Sequence, residues 1–196
     1  MFNNQWMVLL QGEALNGINY CGGSLITNRF VLTAAHCQSH NPQRITKTET
    51  KKNGFLDFIR PICLPLNYDA LNGVSRLTVT GWGRTFYNEV SYVLKSATVN
   101  IYDRSWCRSL MRPVDESQIC VRLGDGSPCY GDSGGPLTTS FDYGGTDVTV
   151  QIGVVSYGTP ECVTTSVHSR VYSYMDWILD IVRQHDIHQD EDYTFN

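Results

Sequence analysis

The sequence predicts an all-β chain closed by one C-terminal α-helix, and three observations carry that prediction. Short strand-like segments are divided by Gly, Asn and Pro, the punctuation of a barrel or sandwich. Asp147-Val148-Thr149-Val150-Gln151-Ile152-Gly153-Val154 alternates apolar residues with polar or small ones at period two, as a half-buried strand does. From Tyr172 to His185 the period changes to helical, with Met175, Ile178, Leu179 and Val182 supplying an apolar face to pack on the barrel.

Taken in order, residues 74–82 and 94–102 read as further strands, 147–154 follows, and 173–185 is the helix. Asp186-Ile187-His188-Gln189-Asp190-Glu191-Asp192 is acidic and unpatterned, so 186–196 reads as a solvated tail. No internal repeat or low-complexity linker interrupts the chain.

A chain of 196 residues can bury a stable core in one or two compact units. The net charge of −4 leaves no basic stripe for nucleic acid, and no apolar run is long enough to span a bilayer. The start, Met1-Phe2-Asn3-Asn4-Gln5, has no positively charged region and its apolar run stops at Leu10, so it does not read as a secretory signal. Seven cysteines nevertheless point to an oxidising compartment, and an odd count leaves one over.

Two motifs carry chemistry. Cys129-Tyr130-Gly131-Asp132-Ser133-Gly134-Gly135-Pro136 sets a serine between glycines, and Thr33-Ala34-Ala35-His36-Cys37 lies far upstream. A serine hydroxyl is a poor nucleophile at neutral pH and needs a base to take its proton. It also needs N–H groups aimed at the developing oxyanion, which glycines permit by letting backbone approach substrate. His40, His168, His185 and His188 have no comparable setting and read as surface or hydrogen-bonded structural positions.

These motifs resemble those of the chymotrypsin-like (trypsin family) serine endopeptidases. Trp6 to Leu10, Cys21-Gly22-Gly23-Ser24-Leu25-Ile26, Ile59-Arg60-Pro61-Ile62-Cys63-Leu64-Pro65, Gly81-Trp82-Gly83, Val155-Ser156-Tyr157-Gly158 and Trp177-Ile178 follow in the family's order, so the resemblance covers nearly the whole of 1–185. It implies two antiparallel β-barrels with the site in the cleft between them. Residues 1–65 would form a first barrel, left incomplete, and 72–172 the second. Only 27 positions separate His36 from Cys63, fewer than the family usually has.

The resemblance assigns His36 as general base and Ser133 as nucleophile, with the N–H groups of Gly131 and Ser133 as oxyanion donors. It implies disulfides Cys21–Cys37, Cys107–Cys120 and Cys129–Cys162. Cys63 is then unpaired, either the half of a tether to an N-terminal propeptide or regulatory domain, or a buried free thiol. Secretion, protein or peptide substrates, and no metal or cofactor complete what the family implies.

Two supports of the family's mechanism are missing from the sequence. No aspartate lies in a setting suited to orient His36: Asp57 and Glu49 both read better as solvated residues, so no triad acid is identified. In the family a freed Ile or Val amine pairs with the aspartate preceding the nucleophile, here Asp132, but no such segment stands before Trp6. A zymogen-like oxyanion hole is therefore expected unless Asp132 finds another partner. The chain reads as a serine endopeptidase of impaired activity; the alternative is an inactive protease homologue that acts as a binding or regulatory module.

For substrate selection, Ser127 stands where tryptic relatives place a pocket aspartate, so cleavage after Arg or Lys is not expected. Ser156, Tyr157 and Gly158 would pair with a peptide backbone. Gly158 would leave the pocket mouth open and Ser166 would shorten the pocket, favouring apolar or small P1 residues.

Overall fold

A computed structural model of the chain describes residues 4–14, 17–40, 42–47, 59–65, 67, 72–84, 90–110, 113–123, 128–159, 162 and 165–186. The first half forms a four-stranded sheet from β1 (Met7–Ala14), β2 (Gly17–Leu25), β3 (Val31–Leu32) and β4 (Pro42–Lys47), in the order β3-β2-β1-β4. The second half is a closed six-stranded barrel of β5 (Arg76–Gly81), β6 (Lys95–Tyr102), β7 (Gln118–Leu123), β8 (Pro136–Tyr143), β9 (Thr146–Gly158) and β10 (Thr165–Arg170). Closure runs β10-β7-β6-β5-β8-β9, so the barrel has no free edge strand. A short helix α1 (Arg104–Leu110) joins β6 to β7, and α2 (Met175–Asp186) follows β10 through a 3₁₀ turn, Val171–Tyr174.

Local chemistry explains the joints. Gly144 and Gly145 both have positive φ, 62° and 87°, which is what a two-residue hairpin turn between right-twisted strands demands. The Asp142 carboxylate accepts the Gly145 N–H at 2.6 Å, and Tyr143 pairs with Thr146. Inside the barrel Leu77, Val79, Val99, Ile119, Val121, Leu137, Val150, Ile152 and Val155 form one apolar cluster. Leu137 is wholly buried there, so Leu137→Ala is expected to cost about 2–5 kcal/mol, measurable by urea unfolding.

Two readings of local period need correction. β9 is longer than 147–154 and is not half-buried: from Val150 to Val155 every residue is buried. One face of β9 lines the barrel, while Val154 on the other packs with Val171 and Ile178, flanked by Leu32 of β3 and by Ile26 and Ala34 beside the first sheet's strands. On α2, Met175, Ile178 and Val182 make the packed stripe, but Leu179, which shares their helical spacing at the edge of that face, is 40% exposed.

Candidate active site

The first sheet and the barrel meet along β2. Strand residues i and i+2 share a face, and Gly22 and Ser24 of β2 both hydrogen-bond across to the barrel half. The Gly22 N–H donates to the Ser133 carbonyl at 2.7 Å, and Ser24 Oγ donates to Gln151 Oε1 at 2.5 Å. Gly22 permits this approach because a Cβ there would stand 2.8 Å from Gly135 Cα.

His36 lies just past β3, in a 3₁₀ turn spanning Ala35–His40, and is exposed. Thr33 Oγ1 donates to the Gly22 carbonyl at 2.8 Å, and a disulfide joins Cys37 to Cys21 of β2. The turn is thus fastened to the strand that touches the Ser133 residue; Cys37 Sγ lies 3.6 Å from the Ser133 carbonyl oxygen. A ring nitrogen of His36 is within 4.8 Å of both sulfurs of that disulfide. Disulfide sulfur is not a thiolate, so this cluster does not offer the ligands a metal requires.

Ser133 sits on a loop that precedes β8. Asp132 N–H donates to Cys129 O at 3.0 Å, Gly135 N–H to Asp132 O at 2.9 Å, and Gly134 N–H to Val155 O at 2.8 Å. Gly131 and Gly134 take φ of 99° and 81°, conformations that disfavour a side chain. Among the described residues the Gly131 and Ser133 N–H groups donate to no protein acceptor.

Asp132 is buried beneath this loop. Its Oδ1 accepts the Gly83 N–H at 2.7 Å and its Oδ2 accepts the Cys129 N–H at 3.0 Å. The carboxylate fills the Gly81-Trp82-Gly83 turn so closely that a Cβ on either glycine would collide with it. Among the described residues no cation pairs with it; two backbone amides supply the other partner that the sequence left open. Burial raises its pKa above the ordinary carboxylate range, and the amides of Cys129 and Gly83 offset part of that rise.

The candidate substrate edge is the end of β9. Ser156 and Tyr157 are half-buried and Gly158 is exposed. On one side Tyr157 pairs with Val167 and Gly158 with Ser166 of β10. On the other, pairing with β8 stops at Val154, and the last bond is Val155 N–H to Gly135 O, 2.9 Å. Among the described residues the far edge of 156–158 is therefore unpaired, as strand addition by a peptide requires. Ser166 lies under Gly158, and its Oγ is within 2.8 Å of His168 Nε2. Ser127, Asp57 and Glu49 lie outside the described residues.

His168, which the sequence leaves as a surface or hydrogen-bonded structural position, is the second, with Nε2 on Ser166 Oγ at 2.8 Å. It is fully buried in β10, with Nδ1 lacking a partner among the described residues, and desolvation pulls its pKa down to about 3. Gln151 was missed, though a lone glutamine among Val150, Ile152 and Val154 was a visible signal. Cys21–Cys37, Cys107–Cys120 and Cys129–Cys162 are bonded, and the three bridges fit an oxidising, extracellular setting. Cys63 is exposed rather than buried, bridging to Val150 through its backbone.

Comparisons with known proteins agree with this architecture. The family described as Trypsin matches residues 2–55 and 47–178. Chymotrypsin-2 of Vespa crabro is 31% identical over 82% of this chain and 88% of its own length. The Spaetzle-processing enzyme and Melanization protease 1 of Drosophila melanogaster are each 29% identical, over 88% and 91% of this chain. The chain spans 62% of the length of each of those two. The first of these alignments runs over 248 positions against a chain of 196 residues, so that relative carries residues with no counterpart here. With the closed barrel, the β2 contact to the serine loop and matches over both halves, the chain belongs to the trypsin family of chymotrypsin-like serine proteases.

Proposed function

We propose that the chain is a secreted serine endopeptidase domain in which Ser133 is the nucleophile and His36 the base, and in which hydrolysis is impaired because the sequence offers no aspartate in the family's triad setting. The observation that carries this reading is the 2.7 Å bond from Gly22 N–H to the Ser133 carbonyl, which docks the serine loop on the strand to which the His36 turn is disulfide-linked. In the reaction, His36 takes the Ser133 proton as Oγ attacks the peptide carbonyl, and the Gly131 and Ser133 amides receive the oxyanion. His36 then returns the proton to the leaving amine, and water repeats the sequence on the acyl-enzyme. An acid normally holds the histidine tautomer and stabilises the imidazolium; without it a loss of about 10⁴ in kcat is expected in this type of site.

The two family matches overlap at residues 47–55, inside the short stretch between His36 and Cys63. An internal block missing there would account for a first sheet left open among the described residues and for a sequence with no aspartate in the family's triad setting. The exposed Cys63 suits a tether to a propeptide or regulatory domain. Ser156, Tyr157 and Gly158 bind the substrate backbone, and Ser166 beneath Gly158 shortens the P1 pocket, with Ser127 removing the anion a tryptic pocket needs.

Incubation with a diverse peptide mixture, read by mass spectrometry, tests this. Slow cleavage after small or apolar residues is expected, and none by Ser133→Ala. Cleavage after Arg would overturn the specificity. Equal product from Ser133→Ala and the parent chain would overturn hydrolysis and favour a binding module.

A further inference from the structure

We propose that Ser24 and Gln151 are positioning residues that hold the His36-bearing sheet in register with the Ser133 loop, an inference that rests on the roles given to His36 and Ser133 above. Both side chains are 0% exposed, and their bond spans 127 positions of sequence to join β2 to β9. Gln151 is further held at three points: its Nε2 donates to Gly153 O at 3.1 Å, its backbone N–H donates to Cys63 O at 2.9 Å, and its strand pairs it with Thr138.

Apolar contact alone would bury this seam without fixing its register, because the hydrophobic effect is non-directional. A hydrogen bond is directional, and a buried amide is tolerated only when it is bonded. Ser24 is two residues from Gly22, so the bond sits one step along the same face from the Gly22–Ser133 contact. Ser24 also pairs with Leu32 of β3, whose next turn carries His36, and Cys21 bridges to Cys37. A slide of β2 along β9 would therefore move His36 and the support of the Ser133 carbonyl together. Misplacement of reacting groups by about 1 Å costs on the order of 10²-fold in rate.

The decisive variant is the double substitution Ser24→Ala with Gln151→Leu, because removing both partners of the cross-seam bond leaves neither of them unpaired and the one further loss is the Gln151 Nε2 bond to Gly153 O. Ser24→Ala alone, which removes only the cross-seam bond, serves as a second variant. The His36 Cε1–H resonance, assigned with His36→Gln, reports register independently of activity; the fluorophosphonate labelling rate of Ser133 reports reactivity. The double variant is expected to melt within about 4 °C of the parent, while its His36 resonance shifts or broadens and labelling slows by about tenfold or more. An unchanged His36 resonance in a folded variant would overturn the proposal, as would a double variant that melts as low as Ser24→Ala. A parent chain that is never labelled would refute the Ser133 assignment, and the His36 resonance would still decide the positioning role.

Discussion

Gly134→Ala is expected to abolish the reactivity of Ser133 and to destabilise the chain by about 3 kcal/mol or more. Gly134 has φ of 81°, where a side chain is disfavoured. A Cβ there would collide with Thr33 Oγ1 and stand 2.5 Å from Gly22 O and 3.0 Å from Ala34 N. Two of those three atoms are backbone, and they belong to the strand and turn that carry the His36 side of the site. The wedge would thus part the two halves at the point where Ser133 is held. Gly144→Ala is the control: it also has positive φ, but nothing lies within 4 Å of its Cβ, so only about 1 kcal/mol of backbone strain is expected. Urea unfolding and fluorophosphonate labelling of both variants check this. Equal stability and equal labelling in the two would contradict the packing described for the loop.

The second large effect is on pH. His168 titrates near 3 in the folded chain, against an ordinary value near 6.5. Between those values the unfolded chain binds the proton and the folded chain does not. The stability His168 permits is therefore fully present above 6.5 and is lost as pH falls toward 3. From pH 7 to pH 5 the loss is about 2 kcal/mol. Asp132 acts in the opposite sense, because its raised pKa makes its burial cheapest below 3.8 and costlier as pH rises above that value. His168→Phe separates the two: it leaves Ser166 Oγ without its partner at every pH, yet removes the proton-linked slope. Urea unfolding at pH 7 and pH 5 should show the difference shrinking in His168→Phe. An unchanged difference would show that the imidazole takes up its proton without unfolding.

How far the sequence was legible follows from where each signal resides. The strand at 147–154 was visible because its alternation is local, whereas burial of both faces was not, because Ile26 and Leu32, distant in sequence, cover the second one. The packed positions Met175, Ile178 and Val182 are readable from helical spacing; Leu179 shares that spacing, and its 40% exposure is not, because spacing does not tell how far the covering surface extends around the helix. The close backbone packing around Asp132 and Ser133 was legible because glycines stand at 131, 134 and 135, and Gly131 and Gly134 take positive φ. His168 and Gln151 were not, since a single polar residue in a strand does not announce which face it takes or what meets it there. The bond between Ser24 and Gln151 exists only once two halves of the chain are folded together.

The central claim is the proposal that Ser133 is the nucleophile and that its hydrolysis is impaired because the sequence offers no aspartate in the family's triad setting. The rate of fluorophosphonate labelling, measured beside Chymotrypsin-2 of Vespa crabro and with Ser133→Ala as the blank, tests it most directly. The account predicts labelling confined to Ser133, at a rate about 10⁴ below that of the relative. A rate matching the relative, or labelling that survives in Ser133→Ala, would contradict it.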